Sequence, residues 1–159
     1  MEQSQSYHIY NHANGAENIF RAEENYRFFL QQYAKYLGEV VDTYAYCLMP
    51  NHFHLLVSVK SEEMLRSTFP KFQTLEKLVS KQFSNFFSSY TQSFNKVYER
   101  KGSLFIKNLK EPPFSLSANG RRHFYIYTST RSSMVLSKTT QTGNGPAGML
   151  TRVQRSFQI

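Results

Sequence analysis

The sequence predicts an α+β domain of the split βαβ kind: an antiparallel sheet with two helices on one face. Three observations carry this prediction. Short segments of strand character lie at residues 7–10, 40–48 and 52–60. Two longer segments, beginning near Glu23 and near Phe72, repeat apolar residues at three- and four-residue steps, as amphipathic helices do. Their order, with a last strand at 103–107, is strand, helix, strand, strand, helix, strand, which is the ferredoxin-like pattern.

Each element has a local reason. In residues 7–10, Tyr-His-Ile-Tyr alternates polar and apolar, and the run Asn11 to Gly15 is turn-rich. In 23–37, Tyr26, Phe29, Leu30, Tyr33 and Leu37 form the apolar stripe, Glu23 and Glu24 suit the positive first turn, and Gly38 can end the helix. Pro50 breaks the chain between the next two strands because it lacks a donor N–H. In 52–60, His52, His54, Leu56 and Ser58 share one face, and Phe53, Leu55, Val57 and Val59 share the other. The second long helix is most regular over 72–90, through Leu75, Val79, Phe83, Phe86, Phe87 and Tyr90, with Pro70 at its start or at a break before it. Gly102 opens the strand expected at 103–107.

Length and composition bound the rest. The 159 residues suffice for one domain with its own core, and the single cysteine, Cys47, excludes an internal disulfide. Cys47 lies in an apolar run and reads as a buried, inert thiol. No apolar run approaches the ~20 residues of a membrane helix, and the polar start, Met1 to Ser6, is unlike a signal peptide. A cytoplasmic location without membrane contact is therefore expected. The net charge is +8, but it is unevenly spread. Residues 1–114 hold 13 Lys and Arg against 11 Asp and Glu, while residues 115–159 hold six basic residues and no acidic one. Global charge is thus weak support for a nucleic-acid partner.

The most informative triplet is His52-Phe53-His54. Two histidines at i and i+2 on a strand project from the same face, close enough to share one metal ion. Imidazole suits divalent transition metals, and a site left open can take Mg or Mn through added oxygen ligands. Such an ion can position a phosphodiester. A bare H-x-H is a weak signal, and its flanks strengthen it.

The stretch Tyr44-Ala45-Tyr46-Cys47-Leu48-Met49-Pro50-Asn51-His52-Phe53-His54-Leu55-Leu56-Val57 resembles the HUH segment of the insertion-sequence and REP-associated tyrosine transposases. Tyr7-His8-Ile9-Tyr10-Asn11 is similar to that family's first strand, Glu23-Glu24-Asn25-Tyr26 to the start of its first helix, and Arg100-Lys101-Gly102-Ser103-Leu104-Phe105 to its fourth strand. The resemblance runs over roughly residues 5–112. It implies a ferredoxin-like fold, usually a homodimer, and transesterification without a nucleotide. A tyrosine attacks a phosphate of single-stranded or hairpin DNA and becomes linked to the 5′ end. A divalent metal, Mg or Mn, is held by two histidines, here His52 and His54, and by a third polar side chain. A tyrosine hydroxyl of pKa ~10 is a weak nucleophile at neutral pH, so activation and in-line positioning are needed.

Beyond residue 112 the pattern departs from the family. The nucleophile's motif, Y-I-H-x-N-P-V, is matched only by Tyr125-Ile126-Tyr127-Thr128-Ser129-Thr130-Arg131. Tyr125 takes the nucleophile's place, and Ser129 takes that of the Asn ligand with a shorter side chain. Carboxylates and periodicity vanish, so residues 113–159 read as an atypical, irregular tail following a 1–112 core, apart from Phe124-Tyr125-Ile126-Tyr127. Stepping the codons of this tail back one base permits a string that resembles the missing continuation, which suggests a frameshift. That would also explain why a chain that is 16% aromatic has no Trp.

Other residues carry alternatives. Lys71, Lys77, Lys81, Arg100, Lys101, Lys107 and Lys110 are candidate phosphate contacts, although a solvated basic face suits Lys71, Lys77 and Lys81 better. Tyr90 and Tyr98 are rival nucleophiles, of which Tyr90 is better explained by core packing and Tyr98 by a place at the surface or core edge. His8 and His12 could approach a metal or DNA, although structural or surface roles suit them better, and His123 lies in the tail. Three functions follow: a metal-dependent tyrosine transposase, a catalytically impaired single-stranded DNA-binding remnant of one, or an unrelated metal- or RNA-binding domain. The third is disfavoured by the M-P-N-H-F-H-L-L-V string and by the lack of an aromatic RNP pattern.

Overall fold

A computed structural model describes residue 1, residues 5–107, and the backbone of residues 113–114 and 134–137. The elements are β1 (Ser6–His12), α1 (Glu23–Leu37), β2 (Val41–Met49), β3 (His52–Val59), α2 (Glu62–Thr68), α3 (Leu75–Val97), β4 (Pro113–Phe114) and β5 (Met134–Ser137). All strand pairs are antiparallel, in the order β4-β1-β3-β2-β5. Strands β1 and β2 flank β3, so the order is that of the predicted split βαβ fold.

Helix α1 has the predicted bounds. The Asn25 side chain accepts from the backbone N–H groups of Arg21 (2.8 Å) and Ala22 (3.0 Å), which satisfies donors ahead of the first turn. The second helical region differs from expectation. It is two helices, with Ser61 capping α2 and Thr74 capping α3 through its hydroxyl. Pro70 falls in the break, and α3 runs on to Val97.

The core lies between the sheet and the two long helices. Phe29 of α1 contacts Phe53 of β3 at 5.3 Å between ring centroids, and Phe87 of α3 contacts it at 5.7 Å. Phe29, Phe53, Phe86 and Tyr90 are fully buried. Each such side chain contributes about 1.5–3 kcal/mol through removal of apolar surface from water. The helices therefore cover the Phe53 face of β3, and His52 and His54 project from the other.

The expected strand at 103–107 is corrected. This segment makes one isolated bridge, Phe105 to Ala13. The reason is that Leu104 and Phe105 are both buried, so consecutive side chains enter the core and strand alternation fails. Gly102 precedes them at φ +88°, a left-handed conformation that suits glycine. Asn11 fastens the segment, its Nδ2 donating to the Ile106 carbonyl at 3.2 Å. The outer edge of β1 is paired by Pro113–Phe114 instead. Within the segment read as a tail, Met134–Ser137 pairs with β2 from Ala45 to Leu48. Among the described residues, no helix is long and apolar enough to cross a membrane.

Candidate metal centre

The β1–β3 ladder brings four histidines to one sheet face. His12 pairs with His52 and Tyr10 pairs with His54 across the ladder. His8 lies two residues from Tyr10 and shares its face, placing it diagonally from His54. On the other side of β3, Met49 pairs with His52 and Cys47 with His54. A bulge between Thr43 and Ala45 brings the Tyr44 hydroxyl to Ser58, to which it donates at 3.3 Å.

The His52 and His54 rings are side by side, with centroids 5.2 Å apart and planes nearly perpendicular. His52, His54 and His8 are half-buried and His12 is exposed. His8, Tyr10 and His54 form a ring cluster with centroids 5.1–5.7 Å apart. One ring nitrogen of each of the four histidines has a defined partner. His52 Nδ1 donates to Asn51 Oδ1 at 2.8 Å, and His12 Nδ1 donates to the Ala13 carbonyl at 2.8 Å. His8 Nε2 and His54 Nδ1 share one hydrogen bond of 2.9 Å.

Burial favours the neutral form of the His8, His52 and His54 rings. Burial lowers the His54 pKa to about 4, helped by the neighbouring His8 and His52. Burial also lowers that of His52, with His12 adding to the effect, and burial lowers that of His8. Neutral imidazole is the form that binds metals. With its Nδ1–H given to Asn51, His52 has its lone pair on Nε2. This donor pair fits a divalent ion that also takes oxygen ligands, such as Mn. Among the described residues, no three His, Cys, Asp or Glu side chains are grouped to hold a metal ion. An ion on His52 and His54 would complete its shell with oxygen donors. The expected third ligand, Ser129, and the expected nucleophile, Tyr125, lie outside the described residues, as do Lys110 and His123.

The rival tyrosines are elsewhere. Tyr90 is buried among the helices, its hydroxyl donating to the Ile19 carbonyl at 2.6 Å. Tyr98 donates to Asn25 Oδ1 at 2.9 Å and lies under the Arg21 guanidinium. His8 and His12, which the sequence allows as metal or DNA contacts but suits better to structural or surface roles, share the face of His52 and His54. They alternate on β1 as His52 and His54 do on β3, and the split βαβ topology makes these strands neighbours.

The candidate phosphate contacts separate into groups. Lys71, Lys77 and Lys81 are exposed around a cleft of about 600 Å³ at the α2–α3 junction, lined also by Phe69, Phe72 and Leu78. This cleft belongs to the helical layer, across the sheet from the histidines. Lys101 and Lys107 are exposed. Arg100 is engaged internally: both Nε and Nη2 donate to the Glu17 carboxylate, and further bonds reach Asn95, Gly102 and Ser103.

No family model and no curated protein matches the chain. Among solved structures it is similar to a REP-associated tyrosine transposase bound to a REP hairpin, with a TM-score of 0.46 and 11% identity over 73% of this chain. The chain spans 59% of the length of that neighbour. A likeness of this depth assigns neither ligand nor activity.

Proposed function

We propose that the chain is a metal-dependent tyrosine transposase that binds single-stranded hairpin DNA and cleaves and rejoins it. One observation carries the reading: His52 and His54 are adjacent, neutral and half-buried on the sheet face away from the helices. They would hold a divalent ion, Mg or Mn, together with Ser129 and water. When bound, that ion supplies polarisation of a phosphoryl oxygen and orientation of the scissile phosphate. The Tyr125 hydroxyl then attacks phosphorus. A tyrosine O–P bond forms, the bond to the 3′ oxygen breaks, and that oxygen leaves as a hydroxyl after taking a proton. Rejoining is the reverse attack by a 3′ hydroxyl on the phosphotyrosine. Lys71, Lys77, Lys81, Lys101, Lys107 and Lys110 would contact DNA phosphates, whereas Arg100 is already engaged with Glu17. The active assembly is a homodimer in the cytoplasm.

A labelled hairpin oligonucleotide incubated with Mn tests the reading. A covalent protein–DNA adduct that is lost in Tyr125→Phe and in His52→Ala/His54→Ala supports it. DNA binding without adduct supports a second reading, an impaired DNA-binding remnant. That alternative is favoured by Ser129, which stands where the family motif has an amide. Light scattering gives the assembly, a mass of 18.6 kDa being that of a monomer.

A further inference from the structure

The hydrogen bond between His8 Nε2 and His54 Nδ1 decides which nitrogen of His54 can bind an ion. Its length is 2.9 Å, and the two rings lie edge to edge, with centroids 5.1 Å apart and planes 20° apart. A hydrogen bond between two neutral imidazoles has one donor and one acceptor, so two proton arrangements are possible. In one, His8 Nε2–H donates to His54 Nδ1. His54 then carries its proton on Nε2, and both nitrogens are occupied. In the other, His54 Nδ1–H donates to His8 Nε2. His54 Nε2 then keeps its lone pair, and the His8 proton resides on Nδ1. Only the second arrangement leaves His54 able to ligate a metal without rearranging.

The neighbouring ligand has the corresponding arrangement with a different partner. Asn51 Oδ1 can only accept, so it holds His52 in the tautomer with its lone pair on Nε2. We propose that His8 plays for His54 the part that Asn51 plays for His52: it is a positioning residue that accepts the Nδ1 proton and fixes the Nε2 lone pair for metal. This rests on the proposed metal site, but its first consequence, the tautomer of His54, exists without any metal. Tyr10 contributes by stacking on both rings, at 5.2 Å from His8 and 5.7 Å from His54. The stack restrains both ring planes, and so keeps the nitrogens aligned.

Long-range nitrogen–proton NMR of the histidine-labelled, metal-free chain tests this. His54 should show a protonated Nδ1 and an unprotonated Nε2, assigned by comparison with His54→Ala. His8→Phe, which keeps an aromatic ring in the stack but removes the acceptor, should move the proton to Nε2. His8→Gln, whose amide oxygen can accept, should retain the wild-type tautomer. Mn titration should then show affinity falling roughly 10–100-fold in His8→Phe and largely kept in His8→Gln. Circular dichroism and thermal melting establish that each variant is folded. A protonated Nε2 in wild-type His54, or a tautomer unmoved in folded His8→Phe, overturns the role of His8. Mn affinity indifferent to His52→Ala/His54→Ala, with the tautomer as expected, instead defeats the metal reading and leaves the His8 assignment standing.

Discussion

Arg100 reaches back from the end of the helical region to grip the carboxylate of Glu17 with two of its nitrogens. The same guanidinium bonds the Asn95 side chain at 2.8 Å and the Ser103 carbonyl at 2.8 Å, closing the turn between α3 and the buried pair Leu104 and Phe105. It also holds the Glu17 carboxyl below its ordinary pKa. Arg100→Lys keeps the charge and loses the fork, so it should lower the melting temperature by a few degrees. The salt dependence of DNA binding should be unchanged. Lys77→Ala should do the reverse, leaving the melting temperature alone and reducing the slope of log affinity against log salt by about 0.7. A lowered slope in Arg100→Gln, which removes the charge, would mean that this charge does face DNA.

Removing the Tyr90 hydroxyl isolates one buried bond. Tyr90 is 1% exposed and donates to the Ile19 carbonyl. Tyr90→Phe keeps the ring packing but leaves that carbonyl without this donor, at a cost of about 1–3 kcal/mol. Urea denaturation should give this loss with an unchanged m-value. An unchanged midpoint would show that the carbonyl is satisfied in another way.

Alkali should unfold the protein through the same buried tyrosines. Burial raises the pKa of Tyr33 well above 10.0, opposed in part by its bond to Thr43, and burial raises that of Tyr90 further, with Tyr98 and Tyr26 adding to it. Unfolded tyrosine loses its proton near 10, whereas the folded chain retains these two. Unfolding therefore releases protons, so stability is complete below pH about 10 and falls as pH rises beyond it. Urea midpoints at about pH 8 and about pH 11 should differ accordingly, with late tyrosinate absorbance appearing together with unfolding. Equal midpoints would contradict the burial of these hydroxyls.

Adjacent positions on β3 should respond in opposite ways. Phe53 is fully buried against α1 and α3, so Phe53→Ala should cost about 3–5 kcal/mol. His54→Ala, on the other face, should leave the fold intact while abolishing Mn binding. Loss of fold in both variants would mean that the histidine face is core.

Much of this was legible in the sequence because single-element patterns are strong. The stripe of Phe29, Tyr33 and Leu37 defined α1, and the alternation His52, Phe53, His54, Leu55 defined β3 and both of its faces. The break at Pro70 was visible, but the restart was misjudged because Phe72 fits the helical stripe, while Thr74 supplies the cap. Residues 103–107 misled because Leu104-Phe105-Ile106 has strand propensity, yet its side chains fill the core at consecutive positions. The His8–His54 bond was beyond single-strand reasoning. It joins residues 46 positions apart on a diagonal of the ladder, and such a contact depends on register.

Strand β3 is the middle strand of five, hydrogen-bonded to β1 along Ser6 to His12 and to β2 along Val41 to Met49. Its amides should therefore be among the last to exchange with solvent deuterium, opening only when the whole domain opens. The two imidazoles are thus mounted on the least deformable part of the molecule. If the proposed function holds, any rearrangement that admits a nucleic-acid strand is absorbed by the chain around them, and the geometry between His52 and His54 should persist while the strand is bound.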